Sequence, residues 1–254
     1  MPISSTGHML LVDEFFTLNR SDAFKEVFFV VIQLGAILAV VATFWKKMFP
    51  FQFSNPEQPV WKKDTVSLWL KVVVACIPGA IVTVLFDDVI EANLHTPVVI
   101  ALALILYGIA FIWIETWNKR RVPHMNQLSD LTYRAALLIG LFQVLSIIPG
   151  TSRSGATIIG ALWIGVSRVA AAEFTFFLAV PVMFGLSALK LFKFGFNFTG
   201  EELLTLAVGM AVAFVISAFV IRFLMGYIKK HDFKVFGWYR IVLGVIVLIM
   251  FAWR

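Results

Sequence analysis

Long apolar runs alternate with short clusters of charged residues along the whole chain. Most of these runs approach or exceed the roughly 18 residues that a helix needs to cross the hydrocarbon core of a bilayer. We therefore predict an all-α, polytopic membrane protein, with residues 1–254 forming a single integral membrane domain. The apolar segments cover residues 27–45, 66–86, 97–114, 132–148, 155–166, 174–191, 203–224 and 235–253.

Clusters of Lys and Arg predict which connections face the cytoplasm. They lie at residues 46–63, 119–121 and 229–234, whereas residues 87–96 carry three acids and no Lys or Arg. We predict that the three basic connections are cytoplasmic and that the acidic stretch is an external loop.

Two of the eight apolar segments do not fit as separate crossings. The connections at residues 119–121 and 229–234 both face the cytoplasm, so an even number of crossings must separate them. Residues 155–166 are too few to span a bilayer, and they follow the polar run 149–154. We predict that residues 132–148 and 155–166 form a re-entrant helical hairpin, which leaves about six transmembrane helices.

Two parts of the chain resemble each other when the sequence is shifted by 147 residues. Both copies contain a small polar run, an apolar return, an acidic residue and a Phe-rich span, which predicts inverted-topology repeats over residues 1–118 and 130–254. The first copy lacks an inbound half-helix, so we expect the chain to be truncated or mis-started at Met1. The shift pairs Pro2 with Pro149, Ser5 with Ser152, Glu26 with Glu173 and Phe29 with Phe176.

Composition narrows the class of protein further. With 60% hydrophobic and 14% charged residues, the chain has too little polar surface for one soluble globule. The net charge of +6 lies in the connections between spans, which indicates membrane lipids and no nucleic acid as partners. A single cysteine, Cys76, excludes a disulfide framework and a thiolate metal site.

The run PGTSRSGAT at residues 149–157 has the composition of an anion site at membrane depth. Hydroxyls and the free N–H groups at the start of a helix donate to phosphate, and Arg binds it through two nitrogens. The alternative is that Arg153 only pairs with a carboxylate or with carbonyl groups. The predicted contributors are Gly150, Thr151, Ser152, Arg153, Ser154, Gly155 and Thr157.

The first polar run, PISSTGH at residues 2–8, offers Ser4, Ser5, Thr6 and His8. Taken alone, its hydroxyls are typical of a helix N-cap, and a single His is usually structural. Opposite an arginine-containing run, however, His8 becomes a candidate nucleophile or general acid for phosphoryl transfer, because imidazole changes charge near neutral pH.

These runs, with VVIQLGAILAV at residues 30–40 and GVSRVAAAEFTFFLAVPVMFG at residues 165–185, resemble the bacterial undecaprenyl-diphosphate phosphatases of the bacitracin-resistance type. The resemblance implies hydrolysis of undecaprenyl diphosphate in the bacterial plasma membrane and recycling of the lipid carrier for cell-wall synthesis. It implies catalytic roles for Ser5, His8 and Arg153, with a cofactor cation, Mg²⁺ or Ca²⁺. The family's acidic metal-binding motif would precede Met1, so we assign no metal ligands here.

Several alternatives remain open at the level of sequence. Inverted repeats with broken helices are also typical of transporters, so a transporter or a lipid-carrier flippase with an anion-binding central cavity is the rival function. The nucleophile could be His8, Ser5 or water. The sequence also leaves open whether the protein forms a homodimer.

Overall fold

A computed structural model of the chain describes residues 2–15, 18–52, 60–94, 96–195 and 197–252, with all side chains in these ranges except those of residues 6, 10, 13, 14, 87–93 and 252. Within these ranges the secondary structure is nine α-helices, joined by loops, short 3₁₀ turns and two isolated β-bridges. The helices are α1 (Ser5–Phe15), α2 (Asp22–Met48), α3 (Lys63–Leu94), α4 (Pro97–Asn118), α5 (Tyr133–Val144), α6 (Arg153–Trp163), α7 (Arg168–Phe194), α8 (Gly200–Ile228) and α9 (Lys234–Ala252).

Six helices of the described chain are long and apolar enough to cross a membrane. They correspond to the six predicted crossings, so the prediction of an all-α, multi-pass membrane protein is confirmed. The two short helices α5 and α6 fall on the predicted hairpin, and α1 follows the first polar run. The spans are Asp22–Met48, Lys63–Phe86, Pro97–Asn118, Arg168–Phe194, Gly200–Ile228 and Lys234–Phe251.

The acidic stretch after the second predicted span differs from its prediction as a loop. Helix α3 continues through it to Leu94, although the part suited to span a membrane ends at Phe86. No Gly or Pro lies between these two positions, so nothing in the backbone stops the helix there. Helix α4 begins at Pro97, where the side chain of Thr96 is the N-cap and accepts the Val99 N–H.

The chain divides into two compact units. Unit 1 comprises Met1–Thr17, Leu70–Thr175 and Tyr227–Arg254, and therefore contains both polar runs, the predicted hairpin and α9. Unit 2 comprises Leu18–Trp69 and Phe176–Gly226, which include α2 and most of α7 and α8. Each unit takes helices from both predicted repeats, and the repeats themselves remain a prediction.

In unit 1, helices α4 and α9 touch through small residues. A Cβ added to Gly108 would lie 2.7 Å from the Gly237 carbonyl oxygen, and one on Gly244 would lie 2.8 Å from the Ala101 oxygen. Such close contact between backbones is how apolar helices gain packing energy in lipid, where burial alone gives none. Leu104 and Leu243 continue the contact in a buried cluster, against which Leu11 of α1 packs.

Helices α5 and α6 form a helical hairpin over the two segments predicted to be re-entrant. The end of α6 returns to the loop that precedes α5, where the Ser167 N–H donates to the Met125 carbonyl over 2.9 Å. The side chain of Asn118, at the end of α4, also donates to the Leu162 carbonyl over 3.1 Å. Both limbs therefore have their outer ends on the same side of unit 1, and Gly160 of α6 packs on Phe142 of α5.

An ion pair with a buried carboxylate and a partly exposed arginine stabilises this same side of unit 1. Glu115 of α4 is completely buried, and its carboxylate accepts three hydrogen bonds from Arg168 at the start of α7, two from Nε and a shorter one of 2.6 Å from Nη2. It also accepts the Phe233 N–H, just before α9, over 3.0 Å. One carboxylate thus joins three helix ends, and the added N–H bond supports a pair that burial alone would make costly.

Unit 2 is built mainly by apolar packing. Phe24, Val27 and Val31 of α2 form a buried cluster with Leu206 of α8. Gly35 allows α2 to approach the α8 backbone at Met210. Exposed ion pairs at its surface, such as Lys190 with Glu26 at 3.0 Å, add little stability.

Candidate functional site at two polar tips

The second polar run forms the tip of the hairpin between α5 and α6, which we call tip two (residues 149–157). Gly150 has a φ of 91°, and a Cβ there would collide with the Ile100 carbonyl, so only glycine fits. Ser152 has a φ of 68°, which is strained for a residue with a side chain, and α6 begins at the next residue. Its hydroxyl caps the helix by accepting the Gly155 N–H over 3.3 Å.

The first polar run repeats this backbone pattern, and we call it tip one (residues 2–8). Ser4 has a φ of 65° and immediately precedes α1. The two positive-φ serines are 148 residues apart, one more than the shift that pairs Ser5 with Ser152. In the structural register Ser4 corresponds to Ser152 and Gly7 to Gly155.

The hydroxyls of tip two are largely engaged within the protein. Ser152 and Ser154 lie 3.2 Å apart through their Oγ atoms. Thr157 is fully buried, with its Oγ1 2.9 Å from that of Thr175 and within donating distance of the Arg153 carbonyl. These bonds hold the first turn of α6 in place, with Arg153 as its first residue.

In tip one, the hydroxyls are placed differently. Ser4 is 2% exposed, and its Oγ has no hydrogen-bond partner among the described residues. Ser5, the first residue of α1, is exposed. The side chain of Thr6 lies outside the described residues.

His8 is held through both ring nitrogens. Its Nδ1 lies 2.8 Å from the Ser4 carbonyl oxygen, and its Nε2 lies 2.6 Å from the hydroxyl of Tyr239 on α9. A carbonyl only accepts, so Nδ1 must carry a hydrogen. In the neutral ring, Nε2 is then the basic nitrogen and accepts the Tyr239 hydroxyl hydrogen.

Arg240, next along α9, contacts both tips. Its Nη2 donates to the carbonyls of Gly150 and Thr151 over 2.8 and 2.7 Å, and its Nη1 donates to the Pro2 carbonyl over 3.4 Å. The side chain is completely buried. Consecutive residues of α9 therefore connect the histidine of tip one with the main chain of tip two.

Sequence reasoning missed Tyr239 and Arg240. A signal was present for the arginine, because Arg240 is the only charged residue between Lys234 and Arg254, and charge at membrane depth usually marks function. No such signal marks Tyr239, which lies 231 residues from His8.

The described residues contain no group of three or more His, Cys, Asp or Glu side chains that could hold a metal ion. They therefore do not supply the ligand set that a divalent cation would need.

The fold and this geometry define a class: a multi-pass α-helical membrane protein with a polar site built from two helix-start tips and buried arginine. Over residues 1–246, the sequence matches the family model of the bacitracin resistance protein BacA, so the chain belongs to that family.

Individual relatives cover almost the whole chain. It is 73% identical over 252 residues to a protein of Enterococcus faecalis named undecaprenyl-diphosphatase, a match that spans 99% of this chain and 91% of that protein. It is 60% identical over 255 residues to an undecaprenyl-diphosphatase of Desulfitobacterium hafniense, which spans 100% of this chain and 91% of the relative. An undecaprenyl-diphosphatase of Lachnoclostridium phytofermentans is 63% identical over 247 residues, with 97% and 89% coverage.

Proposed function

We propose that this protein is an undecaprenyl-diphosphate phosphatase, which hydrolyses the lipid diphosphate to undecaprenyl phosphate and inorganic phosphate. It thereby recycles the lipid carrier of cell-wall synthesis, and we place it in the bacterial plasma membrane. The structural observation that carries the proposal is the contact of both polar tips with adjacent residues of α9, Tyr239 and Arg240.

Tip two binds the diphosphate. The N–H groups at the start of α6 and the guanidinium of Arg153 donate to phosphate oxygens, with help from the hydroxyls of Ser152 and Ser154. The helix dipole adds positive potential at the same point. Thr157 supports this turn through its bond to Thr175. These groups offset the charge that develops on the transferring phosphoryl group.

Tip one supplies the base. The hydrogen on Nδ1 is fixed by the Ser4 carbonyl, so Nε2 of His8 is the reactive nitrogen. Nε2 has one lone pair, so the Tyr239 hydroxyl first turns its hydrogen away. Nε2 then removes a proton from water, the water oxygen bonds to the terminal phosphorus, and the anhydride bond breaks to release undecaprenyl phosphate. The Tyr239 oxygen accepts the new Nε2 hydrogen. In the covalent variant, Nε2 or the Ser5 hydroxyl attacks phosphorus first and water then releases the phosphate.

A divalent cation, Mg²⁺ or Ca²⁺, is part of the proposal as the cofactor. Phosphate release is measured after metal is removed with a chelator and again after each ion is restored separately. This shows whether the activity requires a divalent cation and which ion supports it. The mass of the purified protein in detergent tests for a homodimer in the same preparation.

Phosphate release from a long-chain isoprenyl diphosphate, with the purified full chain in detergent, tests the proposed activity. We expect release that depends on Arg153 and His8. Transport of a lipid or an anion in liposomes without phosphate release would overturn the proposal in favour of a transporter or flippase, which the re-entrant hairpin would also suit. Acid-quench trapping of phosphorylated His8 or Ser5 distinguishes covalent transfer from direct attack by water.

A further inference from the structure

The bonds of Arg240 differ from those of an ordinary buried arginine. Among the described residues, its hydrogen bonds all run to main-chain carbonyls, those of Pro2, Gly150 and Thr151. Its Nε has no partner, and no carboxylate pairs with the side chain among the described residues. A permanently charged group without an acidic partner is costly at membrane depth, which suggests that it serves another purpose there.

The carbonyl bonds fix the direction of the neighbouring N–H groups. In a trans peptide the C=O and the following N–H point in opposite directions. Because Arg240 holds the Pro2 and Thr151 carbonyls, the N–H groups of Ile3 and Ser152 face away from it. Among the described residues, neither N–H donates to another backbone group, whereas the Thr151 N–H donates to Ile148.

We infer that Arg240 is a positioning residue for phosphate binding: by holding the Gly150 and Thr151 carbonyls it keeps the Ser152 N–H, at the start of α6, directed away from itself and available to a bound anion, and its bond to the Pro2 carbonyl ties tip one to the same guanidinium. This inference rests on the proposed function, in which that anion is the lipid's diphosphate. The charge of Arg240, not neutralised by an acid, adds attraction for the anion through a medium of low dielectric. The unpartnered hydroxyl of Ser4, 2% exposed, provides a further donor at tip one.

Gly155 provides a way to test this role without removing any charge. A Cβ at this position would lie 2.9 Å from Nη1 of Arg240 and force the guanidinium to shift. Gly185 of α7 is a matched control, because a Cβ there meets nothing within 4 Å. Both substitutions to alanine change helix propensity in the same direction.

The experiment measures KM, kcat and inhibition by inorganic pyrophosphate for wild type, Gly155→Ala and Gly185→Ala. For Gly155→Ala we expect KM and the pyrophosphate inhibition constant to rise together by about tenfold, because the bound anion loses about one charge-assisted hydrogen bond. We expect a smaller change in kcat, and Gly185→Ala should match wild type. Unchanged KM and inhibition in a folded Gly155→Ala protein would overturn the inference.

A second variant covers the case in which Gly155→Ala does not fold. Arg240→Lys keeps the charge but not the planar fork that holds two carbonyls, so KM should again rise about tenfold. A folded Arg240→Lys protein with wild-type KM and pyrophosphate inhibition would refute the positioning role.

Failure of the proposed function has a different signature. If wild type and Gly185→Ala both release no phosphate, the phosphatase proposal fails, and calorimetric binding of pyrophosphate then tests Arg240 alone. Weaker binding to Gly155→Ala than to Gly185→Ala would still support the role in anion binding. Equal binding to both would refute it.

Discussion

The two tips share a backbone plan but differ in how their side chains are used. Each contains a serine at positive φ that leads directly into a helix, Ser4 in tip one and Ser152 in tip two. In tip two, the serine hydroxyl caps its own helix. In tip one, the equivalent hydroxyl is buried without a described partner, and the carbonyl of the same residue holds His8.

The same backbone motif therefore has two different roles, anion binding in tip two and proton or phosphoryl transfer in tip one. In tip two the serine hydroxyls stabilise the start of α6. Together with Arg153 and the N–H groups there, they are the proposed donors to phosphate, which is a role in binding. Tip one fixes the tautomer of an imidazole, which suits proton or phosphoryl transfer. The following predictions test this division, from the largest expected effect to the smallest.

Removing the cation of tip two should have the largest effect. Arg153→Ala should lower phosphate release by about 10³-fold or more, as expected when a guanidinium that stabilises phosphoryl transfer is lost. The assay is phosphate release with the long-chain substrate. Arg222→Ala, an exposed arginine on α8 in unit 2, is the control and should keep near-wild-type activity. Comparable losses in both variants would contradict the role given to tip two.

Removing the imidazole of tip one should have the next largest effect. His8→Ala should lower kcat by about 10²-fold or more, while KM changes little, because the ring acts on the reaction and not on binding. His231→Ala is a close control: His231 also stacks on a tyrosine, Tyr227, and its Nδ1 faces a carbonyl. A rise in KM with unchanged kcat for His8→Ala would place its role in binding instead.

Removing only the hydroxyl of Tyr239 should have a smaller effect. Tyr239→Phe keeps the ring that stacks on His8 but loses the bond to Nε2, so we expect kcat to fall by roughly three- to tenfold, as for one neutral hydrogen bond. Tyr227→Phe is the matched control. A kcat equal to that of wild type would show that the Ser4 carbonyl alone orients the imidazole.

The smallest effect is expected at the base of the hairpin that carries tip two. Asp130 accepts the N–H groups of Gln127 and Asn126, both over 2.9 Å, and these bonds lower the pKa of its carboxyl below the ordinary 3.8. The folded-state pKa lies below the unfolded one, so the carboxylate stabilises the fold above about pH 3.8. This contribution is lost as the pH falls through the folded-state value.

The measurement for Asp130 is thermal unfolding in detergent at several pH values. Asp130→Asn should lower the Tm slightly at pH 7, and the difference from wild type should disappear in acid. A pH-independent effect of Asp130→Asn would mean that the charge of the carboxylate is not what stabilises the loop.

Much of the hairpin and of tip two was predictable because the information is local. Segment 155–166 is too short to span a membrane, and a run of Gly, hydroxyl residues and one Arg favours an irregular turn leading into a helix. The continuation of α3 to Leu94 was predicted wrongly, because acidic composition was taken to indicate a loop. The one-residue difference in repeat register also needed backbone angles, since sequence identity pairs Ser5, not Ser4, with Ser152.

The contribution of α9 could not be predicted in the same way. Arg240 binds main-chain carbonyls, and every residue has a carbonyl, so its partners leave no mark in the sequence. The same holds for the position of Tyr239 beside His8, which depends on the packing of α1 and α9.

The sequence by itself determined the class of protein, the number of crossings, the short hairpin and the chemistry of each polar run, because apolar length and local backbone preference are properties of neighbouring residues. Only the tertiary structure decided that both runs would contact one buried guanidinium. That contact requires α9 to lie close to α4, and Gly108 and Gly237 permit this approach because they lack side chains where the two backbones touch.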